Sequence, residues 1–176
     1  MALSKLGGNP IPKYGMGHEY NEKGWCQMDP QDFELSEFIP HLVRRMSAHL
    51  SKSLAEALKP FGQTPNTWRI LLHLVSHGSC TLTELCGYTL LDQSTSSRTV
   101  DKVEAEGLVR RVRQNKDGRT ILIEITDHGR DVYKTIFPIA MAQGDWALSR
   151  ISQDELNQFR STLKSILDTI RISPYK

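Results

Sequence analysis

The chain has 176 residues, of which 39% are hydrophobic and 24% charged, a composition typical of one globular domain with a real core. Its net charge of +2 at pH 7 permits nucleic-acid binding but does not by itself indicate it. The sequence has neither an apolar run long enough to span a membrane nor an N-terminal secretory signal, so we expect a cytoplasmic protein with no membrane partner.

The N-terminal part of the chain combines a flexible arm with a first long helix. Residues 1–35 begin with several glycines and prolines, which favour an arm that is partly flexible. A helix from about Glu37 to Lys59 follows, with Pro40 tolerated in its first turn and Pro60 and Gly62 ending it. Its apolar residues recur at three- or four-residue steps, namely Leu42, Met46, Leu50, Leu54, Ala57 and Phe61.

Two further helices precede the most informative segment. The sequence predicts a helix from Pro65 to about Ser76, because proline suits the first position of a helix. A short helix follows, with Thr81 as a candidate N-cap and Leu85 on its apolar side. The segment 87–91 is then expected to turn the chain.

The next helix is unusually rich in hydroxyl groups. Asp92 is a suitable N-cap, the helix runs from 93 to about 106, and Gly107 suits the position just after its end. Helical periodicity directs Ser96, Thr99, Val100 and Val103 inward, and Ser94, Thr95, Ser97, Arg98, Asp101 and Lys102 outward or to the flanks. The outward set suits the major groove of DNA, with Arg98 as the best candidate for a base contact. The alternative is a helix with an ordinary solvated surface.

A basic β-hairpin follows this helix. Residues 108–113 and 120–125 have the character of strands, and the Asp-Gly pair at 117–118 favours a turn between them. Residues 108–119 contain five basic side chains and one acidic side chain, a local net charge of +4. This charge suits contact with DNA phosphates, and Arg119 could enter a minor groove. A solvated hairpin is the alternative. The candidate DNA-binding residues are Thr81, Ser94, Thr95, Ser97, Arg98, Lys102, Arg111, Lys116, Asp117 and Arg119.

Two helices complete the chain. The first is expected from Asp127 to about Arg150, with Pro138 kinking it and Gly144 loosening it. Ser152 and Glu155 form a capping box for the last helix, whose apolar stripe comprises Leu156, Phe159, Leu163, Ile166, Leu167 and Ile170. Burial of this stripe against a second copy would give a homodimer that binds an inverted-repeat DNA site. The alternative is a monomer whose terminal helices fold back on its own core.

Five segments in this order resemble the MarR family of transcriptional regulators. They are residues 64–71, 91–98, 106–109, 117–119 and 125–129. The resemblance covers about residues 36–171 and implies a homodimer on pseudo-palindromic DNA, usually a repressor that a small ligand releases. It also implies that Ser97 and Arg98 contact bases, and that Asp117 orients Arg119 in the wing.

The expected fold is therefore mainly α with a small β-hairpin. A winged helix-turn-helix would occupy residues 63–126, and residues 36–62 and 127–172 would form the helical dimerisation region. The arm, residues 1–35, falls outside the resemblance.

A ligand site is predicted beside the first helix. His41, Arg45 and His49 follow one another at four-residue steps, and Trp68 could supply an apolar wall. In the family that the chain resembles, the ligand pocket commonly adjoins this helix and effectors are often aromatic carboxylates, which an arginine between two histidines suits. A solvated helix flank, with Trp68 in the core, is the alternative.

Other functions are left as alternatives. A redox-responsive regulator would use a cysteine such as Cys26, and a metal-responsive one would need ligands that only folding could bring together. Cys26, Cys80 and Cys86 lack the spacing of a zinc site, and no catalytic motif is present, so we expect neither a cofactor nor an enzyme. A winged helix used only for protein association is the remaining rival.

Overall fold

The computed structural model describes residues 28–113 and 120–171. The predicted DNA contacts Lys116, Asp117 and Arg119 lie outside the described residues, as does Cys26. The predicted arm is described only from Met28 onward.

The described chain is mainly helical with one antiparallel hairpin, which confirms the expected fold. The helices are α1 (Ile39–Leu58), α2 (Pro65–His77), α3 (Leu82–Thr89), α4 (Gln93–Ala105), α5 (Asp127–Leu148) and α6 (Gln153–Arg171), and the strands are β1 (Val109–Arg113) and β2 (Ile121–Ile125). Short 3₁₀ turns occupy Pro30–Asp32, Leu35–Glu37 and Lys59–Phe61. None of the described helices is both long enough and apolar enough to cross a bilayer.

The chain divides into two compact units. One contains the residues up to Arg45 and those from Arg150 onward, and the other runs from Met46 to Ser149. The second unit has its own apolar core, which includes Ile70, Leu71 and Leu85 from α2 and α3. Helix α5 belongs to this unit because its buried Ile136 joins the same core. The proposed dimerisation region, which includes α5, stays a prediction.

The hairpin packs one side of its strands into this core. Val109 pairs with Ile125 and Arg113 pairs with Ile121 at the two ends of the register. Ile123 and Ile125 are buried, whereas Ile121 at the outer end is exposed, so the isoleucine face of β2 enters the core only near the base of the hairpin. Cys80, just before α3, forms a β-bridge to Ile123. This bridge ties the hairpin to the start of the helix-turn-helix.

One expectation about a helix end needs correction, that for α3, whereas α5 extends close to its predicted end. Helix α3 continues to Thr89, whose hydroxyl donates to the carbonyl of Leu85, so the segment predicted as a five-residue turn is mostly helical. The chain then turns through Leu90, which has a left-handed backbone with a φ of 56°. Pro138 lies inside α5 without ending it, and the helix continues past Gly144 to Leu148.

Candidate nucleic-acid interface

The hydroxyl-rich helix α4 begins at a tightly bonded N-cap. The Asp92 carboxylate accepts the backbone N–H of Thr95 at 2.8 Å, which satisfies one of the free donors at the start of the helix. The hydroxyls of Ser94 and Thr95 both donate to the same carboxylate at 2.6 Å. These bonds, that of Ser94 first, hold the pKa of Asp92 well below its usual range. Asp92 is therefore ionised at neutral pH and fixes where the helix starts.

Helix α4 has one buried face and one exposed face, as its periodicity predicted. Ser96, Val100 and Val103 are fully buried, so they seat the helix on the core. Arg98 is exposed on the other face, and among the described residues it makes no ion pair. Its guanidinium is therefore available for a bidentate bond to a base edge.

Thr81 serves as the N-cap of α3. It accepts the backbone N–H of Glu84, while its own hydroxyl and its backbone N–H donate to the Glu84 carboxylate at 2.9 Å and 2.8 Å. These two bonds, the backbone one first, lower the pKa of Glu84. This capping box uses the hydroxyl that a phosphate contact would need, so the predicted role of Thr81 at DNA stays a prediction.

Arg111 on β1 contacts acidic residues of α4. Its guanidinium donates to Asp101 at 2.6 Å and also to the Glu104 carboxylate, and its backbone N–H donates to Glu104 at 2.9 Å. Lys102, on the outer face of the same helix, forms a looser pair with Glu106 at 3.6 Å. Arg111 is thus the basic residue of this face that is most firmly held within the molecule.

The predicted DNA-binding residues fall into three groups. Ser97, Arg98 and Lys102 lie along α4, with Arg98 and Lys102 exposed and Ser97 half-buried. Four others bond carboxylates within the molecule, namely Thr81, Ser94, Thr95 and Arg111. The wing residues 116, 117 and 119 are not among those described.

The sequence analysis did not identify Asp101 and Glu104 as partners of Arg111. The available signal was a pair of carboxylates three residues apart on a helix that precedes a basic strand. Periodicity alone could not show that the strand crosses back over that face of the helix.

A compact junction links the hairpin to α5. The Thr126 hydroxyl donates to the carbonyl of Gly107 at 2.6 Å and accepts the backbone N–H of Gly129 at 3.0 Å, which caps α5. Gly107 has a φ of 72°, a left-handed conformation that favours glycine after the end of α4. The end of α4, the base of the hairpin and the start of α5 are therefore held together.

The candidate ligand residues have different environments. Along α1, His41 is half-buried, and Arg45 and His49 are exposed. Trp68 on α2 is buried and stacks on Tyr133 of α5, with ring centres 5.4 Å apart and planes 6° apart. This stacking gives Trp68 a packing role, in line with the alternative that the sequence analysis left open.

A second aromatic cluster lies between α2 and α3. The rings of His73 and Tyr88 are 4.2 Å apart, and His77 stacks on His73 at 4.9 Å. His73 is buried, and its Nδ1 atom has no hydrogen-bond partner among the described residues. Burial and the neighbouring His77 lower the pKa of His73, and Glu84 partly opposes them. His73 is therefore harder to protonate in the folded protein than an exposed histidine.

The environments of the described cysteines and histidines bear on the redox and metal alternatives. Burial, with a smaller effect of Glu84, raises the pKa of the Cys80 thiol to about 11, so Cys80 is protonated near neutral pH. Cys86 is a half-buried free cysteine. Within the ranges 28–113 and 120–171, no three His, Cys, Asp or Glu residues cluster closely enough to hold a metal ion.

Comparison with known proteins gives the relationship of the chain. A family model described as MarR family matches residues 61–120, which begin at the end of the 3₁₀ turn after α1 and stop just before β2. The uncharacterized HTH-type transcriptional regulator YwoH of Bacillus subtilis strain 168 is 30% identical over 102 residues, which cover 58% of this chain and 74% of YwoH.

Solved structures agree with this relationship. A MarR-family transcriptional regulator from Silicibacter pomeroyi is 27% identical with a TM-score of 0.71, covering 83% of this chain and 99% of that one. CouR from Rhodococcus jostii RHA1, solved bound to p-coumaroyl-CoA, is also 27% identical, with a TM-score of 0.67 and coverage of 76% of this chain and 94% of CouR. The chain therefore belongs to the MarR family of winged helix-turn-helix transcriptional regulators, which are DNA-binding proteins and not enzymes.

Proposed function

We propose that this regulator is a homodimeric repressor that binds an inverted-repeat operator and is released by a small ligand. The observation that carries the proposal is Arg98, exposed on the outer face of α4 with no acidic partner among the described residues. A regulator that acts on chromosomal DNA in a bacterium works in the cytoplasm, which is where we place it.

Helix α4 supplies the base contacts in this proposal. Its buried residues seat it on the core, so that Arg98 and its neighbour Ser97 face the major groove, where arginine bonds guanine in bidentate fashion. Because the hydroxyls of Ser94 and Thr95 already donate to Asp92, they would accept hydrogen bonds from base amino groups. Lys102 and the wing residues Lys116 and Arg119 would contact phosphates.

Helix α6 supports the proposed homodimer. Its apolar stripe is largely exposed to solvent in the single chain, as four of its residues show: Phe159, Ile166, Leu167 and Ile170. A continuous apolar helix face in water favours association with a complementary surface, and two copies related by a two-fold axis would each offer the same face. The two α4 helices of one dimer would then bind two DNA half-sites that have opposite orientations.

An aromatic carboxylate is the effector class that we propose. CouR was solved with p-coumaroyl-CoA, a thioester of an aromatic acid, which supports an aromatic ligand for a relative of this fold. In this chain, His41, Arg45 and His49 follow one another along α1 and supply cationic or hydrogen-bonding groups for a carboxylate. The buried position of Trp68 makes it a minor part of this proposal.

The alternatives have less support from the described residues. The raised pKa of Cys80 argues against peroxide sensing by that thiol. Peroxide sensing would instead use Cys26, which lies outside the described residues, or Cys86. Membership of a DNA-binding family favours an operator over a purely protein-associating winged helix.

The direct test measures binding of the purified protein to a DNA fragment that spans its own promoter. The binding is titrated at several salt concentrations, with and without a panel of aromatic carboxylates. We expect tight, salt-sensitive binding that a member of the panel releases. Release by peroxide alone would replace the carboxylate with a redox effector, and no binding at any salt concentration would favour the protein-association alternative.

The same assay tests Arg98. Arg98→Ala is expected to cost about 1–3 kcal/mol of operator binding and to relax the preference at one base pair of each half-site. Arg98→Lys is the matched control, because it keeps the charge but lacks the planar fork. It should retain non-specific binding while losing base preference. Parent-like discrimination by both variants would contradict the assignment of Arg98.

A further inference from the structure

We propose that Arg111 is a positioning residue that holds the wing strand β1 on the recognition helix α4, and that it does not itself bind DNA. The inference rests on the proposed DNA-binding function and assigns a different role to one of its predicted contacts. Basic residues of a wing are usually assigned to phosphate contact by their charge alone. Arg111 instead already has acidic partners within the chain, the carboxylates of Asp101 and Glu104.

Three hydrogen bonds join Arg111 to α4, two from its guanidinium group and one from its backbone N–H. One guanidinium nitrogen donates to Asp101 at 2.6 Å and another donates to Glu104, so the planar fork contacts both carboxylates at once. The backbone N–H of Arg111 also donates to Glu104, at 2.9 Å. Glu104 therefore bonds the main chain and the side chain of the same residue. This arrangement fixes both the position of the strand and its distance from the helix.

The adjacent arginine provides an internal comparison. Arg110 pairs with Glu124 at 3.0 Å, its cross-strand neighbour in the same hairpin. Its side chain is 66% exposed, whereas that of Arg111 is 31% exposed. The Arg110 pair joins the two strands to each other, and the Arg111 cluster joins the hairpin to α4. Only the second arrangement can set the angle between the wing and the recognition helix.

The charges of the cluster support the same role. Asp101 and Glu104 would place two negative charges on the helix that enters the groove, and Arg111, which is bonded to both, offsets one of them. The positive charge of Arg111 is already offset by two carboxylates, so its contact with a phosphate would release fewer counterions than contact by an unpaired arginine. Moving Arg111 fully onto a phosphate would break the cluster that it stabilises.

The test removes the acidic partners, because the two roles then predict changes of opposite sign. Asp101→Ala combined with Glu104→Ala makes the chain more positive by two charges and leaves Arg111 in place. If Arg111 binds phosphate, this variant binds both operator and unrelated DNA more tightly than the parent. If Arg111 positions the wing, we expect operator affinity to fall at least about threefold while affinity for unrelated DNA stays equal or rises.

The ratio of operator affinity to unrelated-DNA affinity separates positioning from a simple loss of folding. Partial unfolding lowers both affinities together, whereas a misplaced wing lowers the ratio. Arg110→Ala is the matched control, and it should change the ratio less than Arg111→Ala does. Thermal unfolding of each variant confirms that the proteins compared are folded.

A charge exchange keeps the proposal testable if the double alanine variant does not fold. Arg111→Glu alone is expected to lower the ratio, and Arg111→Glu with Glu104→Arg should recover at least part of it, because the exchanged pair again joins β1 to α4. A DNA contact would not be recovered by this exchange. Tighter operator binding by the double alanine variant, or no recovery on exchange, would overturn the proposal. Failure of the parent to bind its promoter would instead contradict the proposed function.

Discussion

Leu90, in the turn between α3 and α4, has a backbone conformation that its side chain disfavours. Its φ of 56° lies in the left-handed region, and its side chain is 88% exposed, so no packing compensates for the strain. We expect Leu90→Gly to raise the free energy of unfolding by about 0.5–1 kcal/mol, since glycine adopts this conformation freely. Urea unfolding measures the change.

Alanine at the same position is the matched control for Leu90→Gly. Leu90→Ala removes the exposed side chain but keeps the Cβ atom that causes the strain. It should therefore leave stability within about 0.5 kcal/mol of the parent. Equal stabilisation by glycine and alanine would show that the exposed leucine, and not the backbone, is the unfavourable feature.

His73 is expected to make the fold sensitive to acid. Its pKa is lowered from the usual 6.5 by burial and by His77, while Glu84 partly opposes the shift, and Tyr88 packs on the ring. Between pH 6.5 and the lower folded pKa, the unfolded chain therefore binds a proton that the folded chain does not. Stability should fall as the pH drops from 6.5 toward the folded pKa, and this contribution is absent at higher pH.

His73→Phe tests this linkage because phenylalanine keeps an aromatic ring between α2 and α3 but does not titrate. Urea unfolding at pH 7.5 and pH 5.5 should show a smaller acid-induced loss of stability for the variant than for the parent. An identical loss in both proteins would assign the acid sensitivity to other groups. Operator binding at both pH values would then show whether the α2–α3 contact also affects α4.

At the level of single residues, the sequence was sufficient for local features and insufficient for tertiary pairs. Asp92 and Thr81 were identified as N-caps because a cap depends only on the next three residues. Arg98 was placed on the outer face of α4 by periodicity. The partners of Arg111 were not accessible in this way, because Asp101 and Glu104 meet it only after the strand folds back over the helix.

Among the secondary-structure elements, the start of α5 is packed unusually closely on the base of the hairpin. A Cβ atom on Gly129 would collide with the carbonyl oxygen of Leu108 and would lie 2.9 Å from Ile125. We expect Gly129→Ala to lower the free energy of unfolding by at least about 2 kcal/mol, because backbone atoms would have to move. Chemical denaturation of the purified variant gives this value.

Gly144, in the same helix, is the matched control for Gly129. No described atom would lie within 4 Å of a Cβ atom placed there, and the residue lies inside α5. Gly144→Ala should raise stability by about 0.5–1 kcal/mol through its higher helix propensity. A loss of stability at both positions would indicate that α5 needs flexible glycines, and not that Gly129 is constrained by close packing.

The boundaries of the elements show where sequence patterns lose their accuracy. The predicted ends of α1, α2 and α4 lie close to those observed, because prolines, caps and Gly107 mark them. The end of α3 was predicted too early. Gly87 suggested a turn, but the Thr89 hydroxyl bonds back to Leu85 and the helix continues against the core. A local side-chain bond and the burial of Thr89 thus accompany the continuation of the helix past Gly87.

For the whole molecule, the apolar stripe of α6 is the feature that a single chain does not explain. Periodicity predicted the stripe correctly, and the capping box of Ser152 and Glu155 starts the helix as expected. Periodicity could not predict what covers it. Leu167 and Ile170 remain 54% and 59% exposed, a pattern that a second copy of the chain would remove.

The final prediction concerns this stripe. Leu167→Glu places a charge on the exposed apolar face, so it should affect the folded single chain little but weaken a dimer at least about tenfold. Ser161→Glu, on the opposite side of α6, adds the same charge without touching the stripe and should leave association unchanged. Sedimentation velocity over a range of concentrations measures both. A parent that sediments as a monomer, or equal effects of the two variants, would exclude dimerisation through this face. Weakening the dimer should also reduce affinity for the full operator more than affinity for a single half-site. The full operator requires two α4 helices at a fixed spacing, whereas a half-site requires one.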